Sequence, residues 1–248
     1  MSRNGRIRAE MGAEWRSFLR RRTAVFFTFF FPILLVVIFG ALVRTEPDAG
    51  GLFAESPAYY IAGYIAVVVL FTPLSRVSSS VARNRESNRF EKLSTTPLTR
   101  MEWLLAHTIV SIILVSVASI VILIILAGLT GATPNPSPIV IPFVAIGVAV
   151  FSGLGAIIGR IADSQDGAIA AANSIALPLL FLSETFIPLH LLPGWLHPLI
   201  NWLPLTPFAR GVRAVTYSGG PWIGELLLLC VFALIFWIAG ARAIPRSE

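Results

Sequence analysis

Six apolar runs, each close to the roughly 20 helical residues that a bilayer core demands, limit what this chain can fold into. They cover residues 24–43, 57–81, 100–127, 139–161, 167–187 and 222–241. A water-soluble domain has no interior for that much hydrocarbon. With 56% hydrophobic and 13% charged residues and a mean hydropathy of +0.79, the chain reads as an all-α polytopic membrane protein. Lipid supplies no partner for backbone N–H and C=O groups, so each run is expected as a spanning helix. The chain then divides into a basic amino-terminal segment 1–23, a six-span membrane domain 24–241 and a short tail 242–248.

Charge sets the expected orientation. With the amino terminus cytoplasmic, Arg3, Arg6, Arg8, Arg16, Arg20, Arg21 and Arg22 lie inside. Arg76, Arg83, Arg85, Arg89, Lys92 and Arg100 join them between the second and third runs, as do Arg160, Arg242 and Arg246 later. Of 19 basic residues only Arg44, Arg210 and Arg213 then lie outside, the asymmetry of the positive-inside rule. A multi-pass protein of the cell membrane with both termini cytoplasmic is expected. The net charge of +6 then reflects topology and anionic inner-leaflet lipid, not a nucleic-acid footprint. Within the basic segment, Ile7, Met11, Trp15 and Phe18 recur at helical spacing with arginines on the other sides. That pattern predicts an amphipathic helix lying on the inner leaflet. The run after it is longer than a signal-peptide core, and Gly40-Ala41-Leu42 offers no cleavage pattern, so it is expected to be retained.

Between the fifth and sixth runs lies a segment too apolar for an ordinary loop and too rich in proline for a spanning helix. Pro188, Pro193, Pro198, Pro204 and Pro207 each remove a backbone donor and clash with the preceding turn. The segment is expected to dip into the membrane and return as a re-entrant hairpin over 186–207. Irregular backbone persists at membrane depth only where protein or a water-filled cavity satisfies its polar groups, which points to a gate or pathway. Glu184 stands at its start, and a carboxylate costs about 2.5–3.5 kcal/mol at mid-bilayer. Three placements meet that cost: contact with substrate, pairing with Arg210 or Arg213, or a site at the outer water boundary.

The stretch from Ala82 to Trp103 mixes both charge signs and carries Phe90 and Leu93 three residues apart. A short helix with an apolar ridge and a charged surround fits it, suited to a groove on a soluble partner, though an ordinary solvated loop has the same composition. Thr99 and Glu102 have capping-box spacing, so the third span is expected to begin at Arg100. Asp163, Ser164 and Asp166 precede the fifth span, either as its cap alone or also as a second cytoplasmic contact. Gly155 and Gly159, with Gly147 and Ser152, predict close packing of the fourth span. Alanines 168, 170, 171, 172 and 176 predict the same for the fifth.

No catalytic or metal site is legible. The one lysine, Lys92, follows no phosphate-binding glycine loop. His107, His190 and His197 lack metal-ligand spacing and read as interfacial side chains, and Cys230 lies within an apolar run. Ser152-Gly153-Leu154-Gly155 has no basic partner to activate a nucleophile.

Two regions together resemble the type-2 ABC-transporter permeases, the six-span exporter kind. The family carries a motif like R-E-x-G-T-L-E-x-L-x-x-T-P-L-(S/T)-R between spans two and three. This chain reads R-E-S-N-R-F-E-K-L-S-T-T-P-L-T-R from Arg85 to Arg100. Phe181-Leu182-Ser183-Glu184-Thr185-Phe186-Ile187-Pro188-Leu189, Leu192-Pro193-Gly194-Trp195-Leu196, Pro204-Leu205-Thr206 and Arg213 resemble the family's extracellular re-entrant hairpin. Pro32 and Pro178 also resemble family positions. The resemblance implies a coupling helix at 83–97 that sits on an ATPase subunit, with Arg83, Arg85, Glu86, Asn88, Glu91, Leu93, Thr96 and Pro97 in the contact. It implies an extracellular gate built by Glu184, Phe186, Pro188, Pro193, Trp195 and Pro204. It further implies a second copy or a paralogous permease beside this chain, and ATP and Mg on the partner ATPase with no cofactor on this chain. Outward movement of a drug-like, lipid or glycan substrate is the expected activity. Asn88 and Glu184 both stand where the family usually has glycine. Asparagine tolerates a left-handed backbone well, whereas the family does not explain Glu184. An ion-coupled secondary transporter, the other class of function considered, needs broken helices in a repeated pattern, and only one broken segment is present.

Overall fold

A computed structural model of the chain describes residues 2–20, 22–38, 55–56, 58–130 and 137–245. Helices α1 (Arg3–Arg20), α2 (Arg22–Val37), α3 (Ile61–Glu86), α4 (Arg89–Ser94) and α5 (Arg100–Thr130) are followed by α6 (Val140–Ile161) and α7 (Gln165–Leu182). A broken region then contains α8 (His197–Asn201) and α9 (Thr206–Arg213), and α10 (Ile223–Ala243) comes last. No strand occurs among the described residues. Among the described residues five helices, α3, α5, α6, α7 and α10, are long and apolar enough to cross a membrane. The run predicted over 24–43 contributes the 16-residue α2, and residues 39–43, with Arg44, lie outside the described residues.

The helix ends depart from the apolar runs where local polar contacts take over. The second apolar run ends at 81, yet α3 continues to Glu86, because Arg85 and Glu86 bind the neighbouring helix ends from its last turn. The fifth apolar run ends at 187, yet α7 stops at Leu182, because Glu184 turns left-handed. The third begins at Arg100 as expected. The Thr99 N–H donates to the Glu102 carboxylate at 2.9 Å and the Glu102 N–H donates to the Thr99 hydroxyl at 3.2 Å, the two halves of a capping box.

Helix α3 is the axis of the molecule. Most of its residues from Ile61 to Ala82 are buried, and α2, α5, α6, α7 and α9 all pack against it. At 26 residues it is roughly 39 Å long, enough to run from one membrane boundary to the other. Its contact with α6 is backbone-close because α6 presents glycine there. A Cβ on Gly155 would stand 2.7 Å from the Leu74 carbonyl oxygen, and one on Gly159 would stand 2.4 Å from that of Ser78. The opposite face of α6 meets α10 in the same way, with Gly153 against the Phe236 carbonyl and Gly240 against Gly153. Ala168, Ala172 and Ala176, four residues apart, form the buried stripe of α7, whereas Ala170 faces outward. Side chains of α10 such as Leu227, Val231, Leu234 and Ile235 remain exposed and suit hydrocarbon.

The amino-terminal helix uses its apolar face differently from a helix resting on lipid alone. Phe18 is buried against Val110 and Leu114 of α5, with Met11 and Trp15 packed around that cluster. Contacts advance in step along both helices, from Arg6 at Glu102, through Glu10 and Glu14 at His107, to Phe18 at Val110 and Leu114. Helix α1 therefore packs along the first turns of α5.

These contacts predict opposite outcomes for two glycines. Gly159→Ala is expected to lower stability by about 1–3 kcal/mol through overpacking against α3. Gly128→Ala, whose Cβ meets nothing within 4 Å, is expected to be neutral or slightly stabilising. Thermal unfolding of the purified chain in detergent checks the pair, and equal melting temperatures would contradict the close contact.

Candidate functional site

Two clusters of polar side chains lie at opposite ends of α3. At the Glu86 end, Arg85 reaches across to the carboxyl end of α6. Its Nη1 donates to the carbonyls of Arg160 at 2.7 Å, Ala162 at 2.9 Å and Gly159 at 3.4 Å, the acceptors a helix leaves unpaired at its end. The next residue serves the next helix. Glu86 Oε1 accepts from the Gln165 N–H at 2.7 Å, while the Ser164 hydroxyl accepts from Gly167 N–H at 3.0 Å, so both cap α7. The stretch around Arg85 and the Asp163–Ser164–Asp166 turn, which sequence treats as two separate contacts, are one stitched surface.

Helix α4 sits beside it. Asn88 has φ of 50°, a left-handed conformation that turns the chain sharply from α3 into α4. Expected as one element over 83–97, this segment is instead the last turn of α3, a break, and six residues of helix. The ridge of Phe90 and Leu93 faces its own chain: Phe90 is buried edge-on against Trp103 at 5.6 Å, next to Val77, Val81 and Ala241, with Leu93 packed against the cluster. An apolar ridge offered to a soluble partner is therefore ruled out for Phe90. What α4 leaves exposed is polar: Arg89, Glu91 and Lys92, followed by Thr95, Thr96 and Pro97, with Glu86 and Asn88 before it. The Thr96 hydroxyl donates to the Leu93 carbonyl at 2.7 Å and holds the following turn. Arg83 lies half-buried, 3.4 Å from the Ser80 hydroxyl.

Ion pairs with no sequence signal of pairing tie α1 to this same end. Glu102 is buried and receives Arg6 through Nη2 at 2.6 Å and Nε at 3.2 Å. The hydrogen bond to that carboxylate raises the Arg6 pKa further, with burial opposing. Arg76 of α3 pairs with Glu14 at 2.6 Å while its guanidinium lies over the Phe18 ring. His107, read as interfacial, is instead buried between Glu10 and Glu14 at 3.6 Å from each, stacked on Trp103. Only the Thr99–Glu102 spacing marks part of this cluster in sequence, and it marks a cap.

At the Ile61 end, one of the placements expected for Glu184 is realised, the pairing with Arg210. Its carboxylate pairs with Arg210, whose Nε lies 3.1 Å from both oxygens. Glu184 has φ of 56°, so both positions that depart from glycine, Asn88 and Glu184, are left-handed. Arg213 donates to the Glu184 carbonyl and stacks at 3.9 Å over Tyr59, just before α3. One guanidinium thus joins the end of α7, the start of α3 and α9. Phe186 is buried against Tyr64 at 5.7 Å, in the space that Gly63 leaves open. Pro188 and Pro204 are buried, whereas Pro193 and Trp195 are exposed, Trp195 by 77%. The proline-broken region is therefore asymmetric, with an exposed first half of short helical turns and a second half, Pro204 to Ala214, sunk against α3, α6 and α10.

Such an assembly, apolar helices carrying a polar platform at one end and a buried broken segment at the other, defines a membrane-embedded helical protein. The model of the ABC-2 type transporter family matches residues 6–217, and the chain belongs to that family. The inner membrane transport permease YhhJ of Escherichia coli (strain K12) is 25% identical over 194 residues, 75% of this chain and 52% of that protein. The daunorubicin resistance ABC transporter permease protein DrrB1 of Streptomyces coeruleorubidus is 23% identical over 209 residues, 82% of this chain and 71% of that protein. The chain thus spans about half the length of YhhJ and more of DrrB1.

The left-handed turn makes a prediction opposite to simple side-chain loss. Glu184→Gly and Glu184→Ala both remove the ion pair with Arg210, but glycine relieves the positive φ. The alanine variant is expected to be less stable than the glycine variant by about 1 kcal/mol. Thermal melts of the two purified proteins decide it, and an alanine variant as stable as glycine would refute the strained turn.

Proposed function

We propose that this chain is the transmembrane permease subunit of an ATP-driven ABC exporter, with six spans and both termini cytoplasmic. ATP and Mg²⁺ are held by a separate ATPase subunit, which hydrolyses ATP. The exposed polar face of α4, together with the turn before α7, is the coupling surface for that subunit, and the broken segment between α7 and α10 is the re-entrant extracellular gate. One observation carries this reading: Arg85 and Glu86 bind the α6–α7 turn to the end of α3, directly beside α4. A push on α4 is then delivered to α3, α6 and α7 together. At the far end of α3, Tyr59 and Gly63 touch Arg213, Thr185 and Phe186 of the gate. Contiguous packing of this kind supports mechanical coupling across the membrane.

A second copy of the chain, or a paralogue, completes the path. Asn173 and Ser174 lie midway along α7 on a face that the single chain leaves exposed. Polar groups at mid-span face protein or a water-filled path rather than lipid, which favours a twelve-span dimer closing over that face. The daunorubicin resistance permease among the relatives favours a drug-like amphiphile over a lipid or glycan as the exported substrate.

Two experiments test these assignments. Glu91→Arg/Lys92→Glu reverses exposed charges on α4 without touching Arg85 or Glu86, and is expected to lower co-purification of the ATPase subunit by roughly tenfold or more while membrane insertion persists. Undiminished co-purification would remove the docking assignment. In a Cys230→Ser background, Asn173→Cys is expected to form a disulfide-linked dimer in oxidised membranes. A purely monomeric product there contradicts the placement of the second copy.

A further inference from the structure

The charges of α1 are sorted by face. Its two carboxylates, Glu10 and Glu14, turn inward to His107 and Arg76, and Arg6 turns inward to Glu102. The outward face keeps Arg8, Arg16 and Arg20, all exposed, along a stripe whose members are separated by multiples of four residues, with Arg22 exposed at the start of α2. No carboxylate shares that stripe. Helix α1 packs along the first turns of α5, from Glu102 to Leu114. At 31 residues α5 is roughly 46 Å long against a hydrocarbon core of about 30 Å, so its polar first turns project beyond the core. The arginine stripe therefore crosses the layer that lipid phosphates occupy. Leu19 is exposed within the stripe, and Phe26 and Phe30 of α2 are exposed immediately beyond it. Such a basic-to-apolar succession within a few turns matches a headgroup layer above acyl chains, and a soluble partner has no reason to cover the phenylalanines.

We propose that Arg8, Arg16, Arg20 and Arg22 form a binding surface for the phosphate headgroups of anionic phospholipids, holding α1 at the inner membrane boundary. The proposal rests on the membrane-subunit reading and adds a lipid requirement to it. Through the pairs Arg6–Glu102 and Arg76–Glu14, lipid held on α1 bears on the first turn of α5 and on α3 nearly three turns before its end.

The test uses the purified full chain in a neutral detergent, titrated with phosphatidylglycerol or phosphatidylcholine and read by native mass spectrometry. Each arginine near an anionic surface contributes roughly fivefold in affinity, so Arg8→Gln/Arg16→Gln/Arg20→Gln is expected to weaken phosphatidylglycerol binding on the order of a hundredfold. Raised salt is expected to weaken it also, because exposed charges are screened. Arg89→Gln/Lys92→Gln, which removes basic charge on α4, and the charge-keeping Arg8→Lys/Arg16→Lys/Arg20→Lys are both expected to retain binding. If the triple glutamine variant does not insert, the three single glutamine variants carry the comparison, each expected to lose roughly fivefold. Equal binding of the two lipids, unchanged binding by the glutamine variants, or displacement of lipid by inorganic phosphate overturns the proposal. So does a triple variant that keeps lipid but loses the ATPase subunit, which would assign the face to that protein. A triple variant that retains the ATPase subunit while lipid preference fails leaves the permease reading intact.

Discussion

Backbone contact between α3 and α6 is the constraint on which the rest of the molecule hangs. In lipid, apolar side chains gain little by leaving one hydrocarbon environment for another, so helix association depends on close packing. Gly155 and Gly159 remove the side chains that would hold α6 away from the Leu74 and Ser78 carbonyls. With α6 seated, Gly153 and Gly240 bring α10 against its other face, and Phe208 of α9 fits beside Gly147. Each of these steps removes a side chain so that a neighbour can approach, and none substitutes for the first. Helix α3 becomes an axis enclosed on most sides by its neighbours.

The polar groups then act at the ends of that axis, where backbone donors and acceptors run out. Arg85 takes the last carbonyls of α6, Glu86 and Ser164 take the first N–H groups of α7, and Arg100 donates to the Arg242 carbonyl near the end of α10 at 3.1 Å. At the other end, Arg213 holds the carbonyl of the turn that stops α7. These residues carry charge in a membrane protein at a cost that is met by helix termini, which present partial charges of the opposite sign. The same arrangement that satisfies them fastens neighbouring helices to each other. Helix cap and inter-helix tie are one set of contacts here, since Glu86 caps α7 from the end of α3.

How much was legible in the chain varies by the range of the interaction. Thr99 with Glu102, Asn88 at a left-handed turn, and the glycines at 155 and 159 all show in sequence because each depends on neighbours within a turn or on residue size. The pairing of Glu184 with Arg210 did not, because Arg213 stood equally available by spacing; only the turn at Glu184 aims the carboxylate at one and the carbonyl at the other. Phe90 looked like an outward ridge because a six-residue amphipathic helix has no intrinsic inside. Trp103, thirteen positions away, supplies the direction. The cluster of Glu10, Glu14 and Arg76 around the buried His107 is invisible for the same reason, since its members come from three helices.

The sequence by itself determined the material: apolar helices long enough to cross a bilayer, a segment that proline forbids from crossing, and two motifs that mark a transport family. Those follow from chain-local physics, the missing proline donor, the length of an apolar run and the small size of glycine. Only the tertiary structure decided which charges are spent inside the chain and which remain outside it. Arg85, Glu86, Arg6 and Arg76 are engaged with other helices, whereas Lys92, Arg8, Arg16 and Arg20 are left on the surface. An arginine carries the same charge wherever it stands in the chain, and its availability to a partner depends on whether folding has brought a carboxylate or a helix end within reach.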